Sequence, residues 1–241
     1  MFSSRLKSGT WINVAMNRTT QFLAITSVFI LTQLLVFGQT EGDQAKAFRE
    51  TKIEAEAGDL DAQYELAKLY ASGKGTEKNQ EEAVKWFRRL AAQNDARGQS
   101  MLGVMLTNGK GVEIDYVEAI KWFGKAAAQN SAHAKYNLGY MYSVGKGVEA
   151  DQIQATKWYR DAAELNDAGS QFILANRLAT GRGAENDLVE AYAWTLVVLP
   201  RKGEAAEKQL AAIKSQMAAA EVAKAERSAK EISARLAKLK N

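Results

Sequence analysis

The sequence has 241 residues, 46% hydrophobic and 25% charged, enough for one continuous core. It holds no cysteine and one histidine, which excludes disulfides and thiolate metal sites and leaves zinc short of ligands. The formal charge of +4 and the pI near 9.1 do not indicate nucleic-acid binding, because the basic excess sits at the two ends of the chain.

Residues 1–38 read as an export signal. Arg5, Lys7 and Arg18 precede an apolar run from Phe22 to Phe37, and no acid occurs before Glu41. Val36 and Gly38 fit the −3 and −1 positions, so cleavage after Gly38 is expected. Met16 is an alternative start. The rival reading is an uncleaved membrane anchor, for which a polar-interrupted run of this length is short, since a span needs about 20 apolar residues. Residues 39–58 then read as an N-terminal capping helix, with Ala47, Phe48 and Ala55 in the columns of a second repeat helix and Glu50 in the tryptophan column.

From residue 59 to residue 200 a block of 36 residues occurs four times without an insertion. Trp86, Trp122, Trp158 and Trp194 keep the step, as do the pairs Gly73/Gly75, Gly109/Gly111, Gly145/Gly147 and Gly181/Gly183. Ala83, Ala119, Ala155 and Ala191 form a third column, and Leu66, Leu102, Leu138 and Leu174 a fourth. Such a period denotes stacked supersecondary units, each too small to bury its apolar face alone. In the third unit Ala134, Leu138, Met141 and Tyr142 form an apolar helix stripe, which Gly145 ends. A second helix then starts at Asp151, with Gln154 three residues later. Asn79/Glu82, Asp115/Glu118 and Asp187/Glu190 repeat this capping-box spacing. Asp59, Asp95, Ser131 and Asp167 are suited to cap the first helices.

These columns resemble the Sel-one-like repeat family, a tetratricopeptide-like solenoid. Residues 134–169 match its pattern in nearly every column. Ala67 and Ala175 depart from its glycine, and Thr76 and Ala184 from its valine. The resemblance implies an all-α, right-handed α/α solenoid of four 36-residue helix-turn-helix repeats, flanked by capping helices. It implies adaptor and scaffold roles rather than one chemistry. Exported members of the family imply roles in envelope signalling, secretion or polysaccharide production.

Pro200 is expected to end the last repeat helix. In residues 201–241, Ala206, Leu210, Ala211 and Ile213 resume the first-helix register. Val222, Ala225, Ala229, Ile232, Leu236 and Leu239 then form a heptad-like seam. Two readings stay open for this basic helix: a cap on unit four, or a docking helix for a partner or an anionic surface.

Little catalytic chemistry is present. His133 stands at a unit junction without an evident triad, and it is read as a surface junction residue. Lys74, Lys110 and Lys146 lie inside Gly-x-Gly turns that lack the strand and third glycine of a phosphate loop. The Trp column is read as core rather than as a carbohydrate platform. No cofactor or metal site is expected. The informative positions are those where first helices differ, and binding is expected on their concave face. Met101, Val104, Tyr140 and Ile173 are expected to form an apolar groove, and Arg177 an anchor for a partner carboxylate.

The expected function is therefore an exported, non-catalytic scaffold for a protein or peptide of the cell envelope, more specifically a periplasmic regulator. One alternative is a β-lactam-binding or weakly hydrolytic enzyme, as suggested for cysteine-rich relatives whose cysteines this chain lacks. Another is a membrane-tethered spacer, if the N-terminal segment stays uncleaved.

Overall fold

A computed structural model describes residues 41–240; the segment expected to act as an export signal, the cleavage expected after Gly38 and the alternative start at Met16 lie outside the described residues. Among the described residues every regular element is helical. Helix α1 covers residues 41–56. Four helix pairs follow: α2 (Leu60–Ser72) with α3 (Gln80–Ala92), α4 (Ala96–Asn108) with α5 (Tyr116–Ala128), α6 (Ala132–Val144) with α7 (Gln152–Glu164), and α8 (Ala168–Thr180) with α9 (Leu188–Lys202). Helices α10 (Glu204–Lys214) and α11 (Ala219–Ala237) and a 3₁₀ turn at Lys238–Lys240 complete the chain. Each repeat helix packs on its neighbours in chain order, so the array is a helical solenoid.

Local chemistry sets the ends of these helices. Gly73, Gly109, Gly145 and Gly181 close the first helices with φ between 66° and 79°, and each N–H bonds the carbonyl four residues back. The second glycine does different work. A Cβ on Gly111 would lie 2.3 Å from the Gln80 backbone, and one on Gly183 would lie 2.0 Å from the Gln152 carbonyl oxygen. These glycines let each turn sit directly on the first residue of the preceding second helix. The same contact joins Gly75 to Gln44, so α1 occupies the place of a second helix in front of unit one.

The second-glycine column varies in exposure at Gly147. Gly147 is exposed, whereas Gly75, Gly111 and Gly183 are half-buried. Its turn still rests on the first residue of α5, where a Cβ would lie 2.6 Å from the Tyr116 Cβ. Only the side toward Tyr116 is covered, and the other side of the turn faces water. Gly147 is therefore structural through its φ of 72° and its close approach to α5, not through burial. A further turn column, Asn94, Asn130 and Asn166, takes φ of 61–68° where the second helices hand over to the next unit. Asparagine tolerates that left-handed conformation better than most residues.

Asp59, Asp95, Ser131 and Asp167 cap the first helices through their side chains, and Asn79, Asp115, Asp151 and Asp187 cap the second. The reciprocal half of the expected capping box is replaced, however. The backbone N–H groups of Asn79, Asp115, Asp151 and Asp187 donate instead to Tyr70, Leu106, Tyr142 and Leu178 of the preceding first helix. This frees the third residue for other partners: Glu118 accepts from the Trp122 indole and Glu190 from the Trp194 indole.

The core is built on Leu66, Leu102, Leu138 and Leu174, opposed by Phe87, Phe123 and Tyr159, all essentially buried. A Cβ on Gly103 would come within 2.6 Å of the Phe123 ring, so the small column gives the next helix's aromatic its place. Reading the whole tryptophan column as core needs correction. Trp86, Trp122 and Trp158 are half-buried, and the residue after each fills the interior. Trp194 alone is buried, because α11 lies along α9 and brings Ala225, Ala229, Ile232 and Leu236 into the same core.

Two expectations at the C-terminal end also change. Helix α9 runs through Pro200 to Lys202. A proline in the last turn removes one hydrogen bond, and the helix stops at Gly203, whose N–H bonds the Leu199 carbonyl. Helix α10 does not repeat a first helix in full. Ala206 and Ile213 are buried, but Ala211 is exposed, because α11 packs on α9 and leaves α10 without a hairpin partner.

Candidate interaction surface

The side chains that differ between units lie mostly on the first helices. Met101 and Val104 of α4 are half-buried against the core of the first three units. Tyr140 of α6 is 37% exposed, and the Lys146 ammonium sits 5.5 Å from its ring centre and 5.2 Å from that of Tyr116. Proximity to the tyrosines, Tyr140 first, raises the Lys146 pKa. Ile173 of α8 is half-buried. In the column Lys68, Val104, Tyr140, Asn176 three members are exposed and none is fully buried.

The reading of Arg177 as a free anchor is corrected. Arg177 is 4% exposed. Its Nε donates to Thr156 Oγ1 at 2.7 Å, and an η-nitrogen donates to the Gln152 carbonyl and Oε1 at 2.8 and 2.9 Å. The guanidinium also lies 5.6 Å from the Tyr159 ring centre. Burial pushes its pKa down, with a further push from Arg182. Burial also pushes the Tyr159 hydroxyl up to about 12. Arg177 therefore joins α8 to α7 through Nε and one η-nitrogen, and at 4% exposure it is an interior residue rather than a free surface anchor.

His133 contacts Ser100 across units two and three, with Nδ1 2.9 Å from the hydroxyl. The histidine keeps an exposed edge. Withdrawal of its ring from water, opposed by the Asp167 carboxylate, holds the imidazole below its ordinary range. Ser100 is 3% exposed, so the pair is a packing contact rather than an accessible nucleophile. It belongs to a series of contacts 33 residues apart. In unit one the Arg97 guanidinium lies 5.1 Å from the Tyr64 ring centre, and at the next junction Gly169 leaves room for Tyr136.

A second series escaped sequence reasoning altogether. Gln63, Gln99 and Gln171 are buried, and each donates to the carbonyl eight residues earlier. Gln93 donates to Gln63 Oε1 at 2.8 Å, Gln129 to Gln99 Oε1 at 2.9 Å, and Arg201 to Gln171 Oε1. In unit three Lys135 and Leu165 replace the two glutamines together. The signal was this paired change at a spacing of 30 residues, visible only once two columns are read jointly.

Helix pairs of nearly constant length, a shared turn and a face of diverging side chains define an α/α solenoid of stacked repeats. The Sel1 repeat model matches residues 60–95, 96–131, 132–167 and 168–196, and the chain belongs to the Sel1 repeat family. Two solved structures are similar. One is c5321, a protective antigen of uropathogenic Escherichia coli strains displaying an SLR fold, at 34% identity and a TM-score of 0.70. That match covers 81% of this chain and 44% of the antigen, so the present chain spans less than half its length. The other is a Sel1 repeat protein from Oxalobacter formigenes, at 32% identity and a TM-score of 0.67, covering 81% of this chain and 79% of that one. No curated protein matches the chain. Sel1 repeats mediate protein–protein interaction, and their solenoid is typically a non-catalytic scaffold.

Proposed function

We propose that this protein is an exported, non-catalytic scaffold that holds a protein or peptide of the cell envelope on its first-helix surface, as a periplasmic regulator. One observation carries the reading. Caps and turns repeat from unit to unit, whereas Lys68, Val104, Tyr140 and Asn176 share a column and differ in size, polarity and charge. Packing does not demand such divergence at positions that water reaches, and recognition does. Tyr140 is the expected anchor, since an exposed tyrosine supplies contact area at low entropic cost. The apolar run and flanking charges of residues 1–38 support export.

The test has two arms. Cells expressing the full chain are fractionated, and the N-terminus of the isolated protein is sequenced; a periplasmic chain beginning near Gln39 is expected. A photo-crosslinker at position 140 then identifies the partner, and Tyr140→Ala is expected to weaken that partner by about 1–3 kcal/mol with little change in melting. A partner whose affinity survives Tyr140→Ala and Met101→Ala overturns the assignment of the surface. A membrane-bound chain with residues 1–38 intact overturns the cleaved-export reading.

A further inference from the structure

The two ends of the solenoid differ in charge and match in spacing. In the repeats, the second helix buries one face against its own first helix. Ala83, Ala119, Ala155 and Ala191 are fully buried there, as are Leu90, Ala126, Ala162 and Val198. Helix α1 occupies a second-helix place, yet among the described residues no first helix precedes it. The equivalent positions Ala47 and Glu54 are exposed. With Asp43 and Glu50 they form a stripe at spacings of four, three and four residues, which one helix face presents as a continuous line. The stripe is small in the middle and acidic on both sides. Among the described residues Glu50 pairs with Lys46 of its own helix, at 3.8 Å with both side chains exposed.

At the other end α11 buries Ala225, Ala229, Ile232 and Leu236 on α9. Its opposite face carries Ala223, Arg227, Lys230 and Ala234, all exposed and again spaced four, three and four. Among the described residues Arg227 and Lys230 make no ion pair. Residues 201–241 hold 10 basic and 5 acidic side chains, whereas residues 41–56 of α1 hold 3 basic and 5 acidic. Small residues on both stripes allow the helices to approach, and the charges that flank them are opposite in sign.

We propose that the acidic α1 face of one copy docks on the basic α11 face of a second copy. The contact is head to tail, so each copy keeps one free end of each sign and assembly proceeds as an open chain rather than a closed dimer. Glu50 and Glu54 meet Arg227 and Lys230, while Ala47 packs beside Ala223 in a parallel docking of the two helices or beside Ala234 in an antiparallel one. The pairs stay at the rim of a small interface and are screened by salt, so the association is weak and ionic-strength-dependent.

Charge reversal at each end tests this with the chain expressed in full and isolated as the cell leaves it. Sedimentation velocity over a concentration series is expected to show concentration-dependent association at low salt. The association constant should fall roughly tenfold or more when salt rises from about 50 mM to about 500 mM. The variants Glu50→Lys/Glu54→Lys and Arg227→Glu/Lys230→Glu should each sediment as monomers, because each brings like charges together. Their equimolar mixture should associate again, since a reversed head fits a reversed tail and the unreversed ends still fit each other. Helical circular dichroism reports that both variants remain folded. Monomeric wild-type protein at low salt overturns the proposal, as does association that persists in either variant alone or at high salt. A monomer that instead binds anionic vesicles through Arg227 and Lys230 also overturns it.

Discussion

The junction between units one and two and the junction between units three and four fill the same space with opposite chemistry. At the first, Met105 of α4 and Val84 of α3 share a buried apolar core, and Gln80 Oε1 is buried with no hydrogen-bond partner. At the second, Arg177 stands in the place of Met105 and Thr156 in the place of Val84. Gln152, the counterpart of Gln80, accepts at Oε1 from both Arg177 and Arg182. The one Thr156 hydroxyl proton is shared between the carbonyls of Gln152 and Arg182, 2.9 and 3.0 Å away. What the repeat preserves is filled volume and spacing. Residue type can change from thioether to guanidinium when the surrounding positions change with it.

The most severe break in this comparison is Met105→Arg. It puts the guanidinium where Val84 offers no acceptor, so that of the three acceptors Arg177 uses the equivalent of the Thr156 hydroxyl is missing and only the Gln80 carbonyl and amide oxygens remain. A buried charge lacking its partners costs about 3–5 kcal/mol, and urea unfolding at pH 7 should show a loss of that order. A loss below about 1 kcal/mol would mean that the junction rearranges freely, and the two regions would then not be distinguished by their partners. The reverse exchange should be milder. Arg177→Met removes the hydrogen bonds to Thr156 and Gln152 but leaves both with other partners, so a loss of about 1–3 kcal/mol is expected. Adding Thr156→Val should recover much of it, because a paired replacement of polar by apolar groups of similar shape is often neutral. If the two losses simply add, Arg177 and Thr156 do not form one unit.

This comparison also shows what could be read from the chain and what could not. The period, the Gly73-type turns and the side-chain caps at Asp59 or Asp115 were legible, because each is a local signal over a few residues. The second glycine was legible only as a turn residue. Its contact with Gln80 or Gln152 depends on how far apart successive units stack, and so does the water left on the open side of Gly147. Trp122 and Phe123 are neighbours of similar hydrophobicity, and only their 100° separation around the helix decides which enters the core. Arg177 reads from the sequence as a charged anchor because it breaks the apolar column of Leu69, Met105 and Met141. The compensating signal lay in Thr156, 21 residues earlier, in a column otherwise held by Val84, Ile120 and Tyr192. Of the candidate surface, Tyr140 emerges exposed, Met101, Val104 and Ile173 half-buried, and Arg177 interior.

The smallest expected effect sharpens the same contrast through an ion pair. Arg160 of α7 and Glu190 of α9 form a two-armed pair across units three and four, whereas the matching positions one unit earlier are Gly124 and Gln154, which carry no charge. Burial alone would raise the Glu190 carboxyl. Hydrogen bonds from Arg160 and from the Trp194 indole outweigh it and hold the pKa below the ordinary carboxylate range. Arg160 stays protonated throughout, its own pKa raised first by Glu190. A carboxyl depressed in the folded state contributes stability that is present above its unfolded pKa of about 4.3 and is lost as pH falls through the lower folded value. Both side chains keep about a third of their surface in water (38% for Arg160 and 30% for Glu190), so screening limits the pair. The contribution at pH 7 is expected to be about 1 kcal/mol or less. Glu190→Gln should therefore lower the urea midpoint slightly at pH 7, and the gap from wild type should narrow as pH falls below about 4. Gln154, already neutral, should show no such narrowing when changed to alanine. A gap for Glu190→Gln that stays constant from pH 7 to pH 3 would mean that the side chain stabilises through its shape and its indole contact, and that the charge on Glu190 adds nothing.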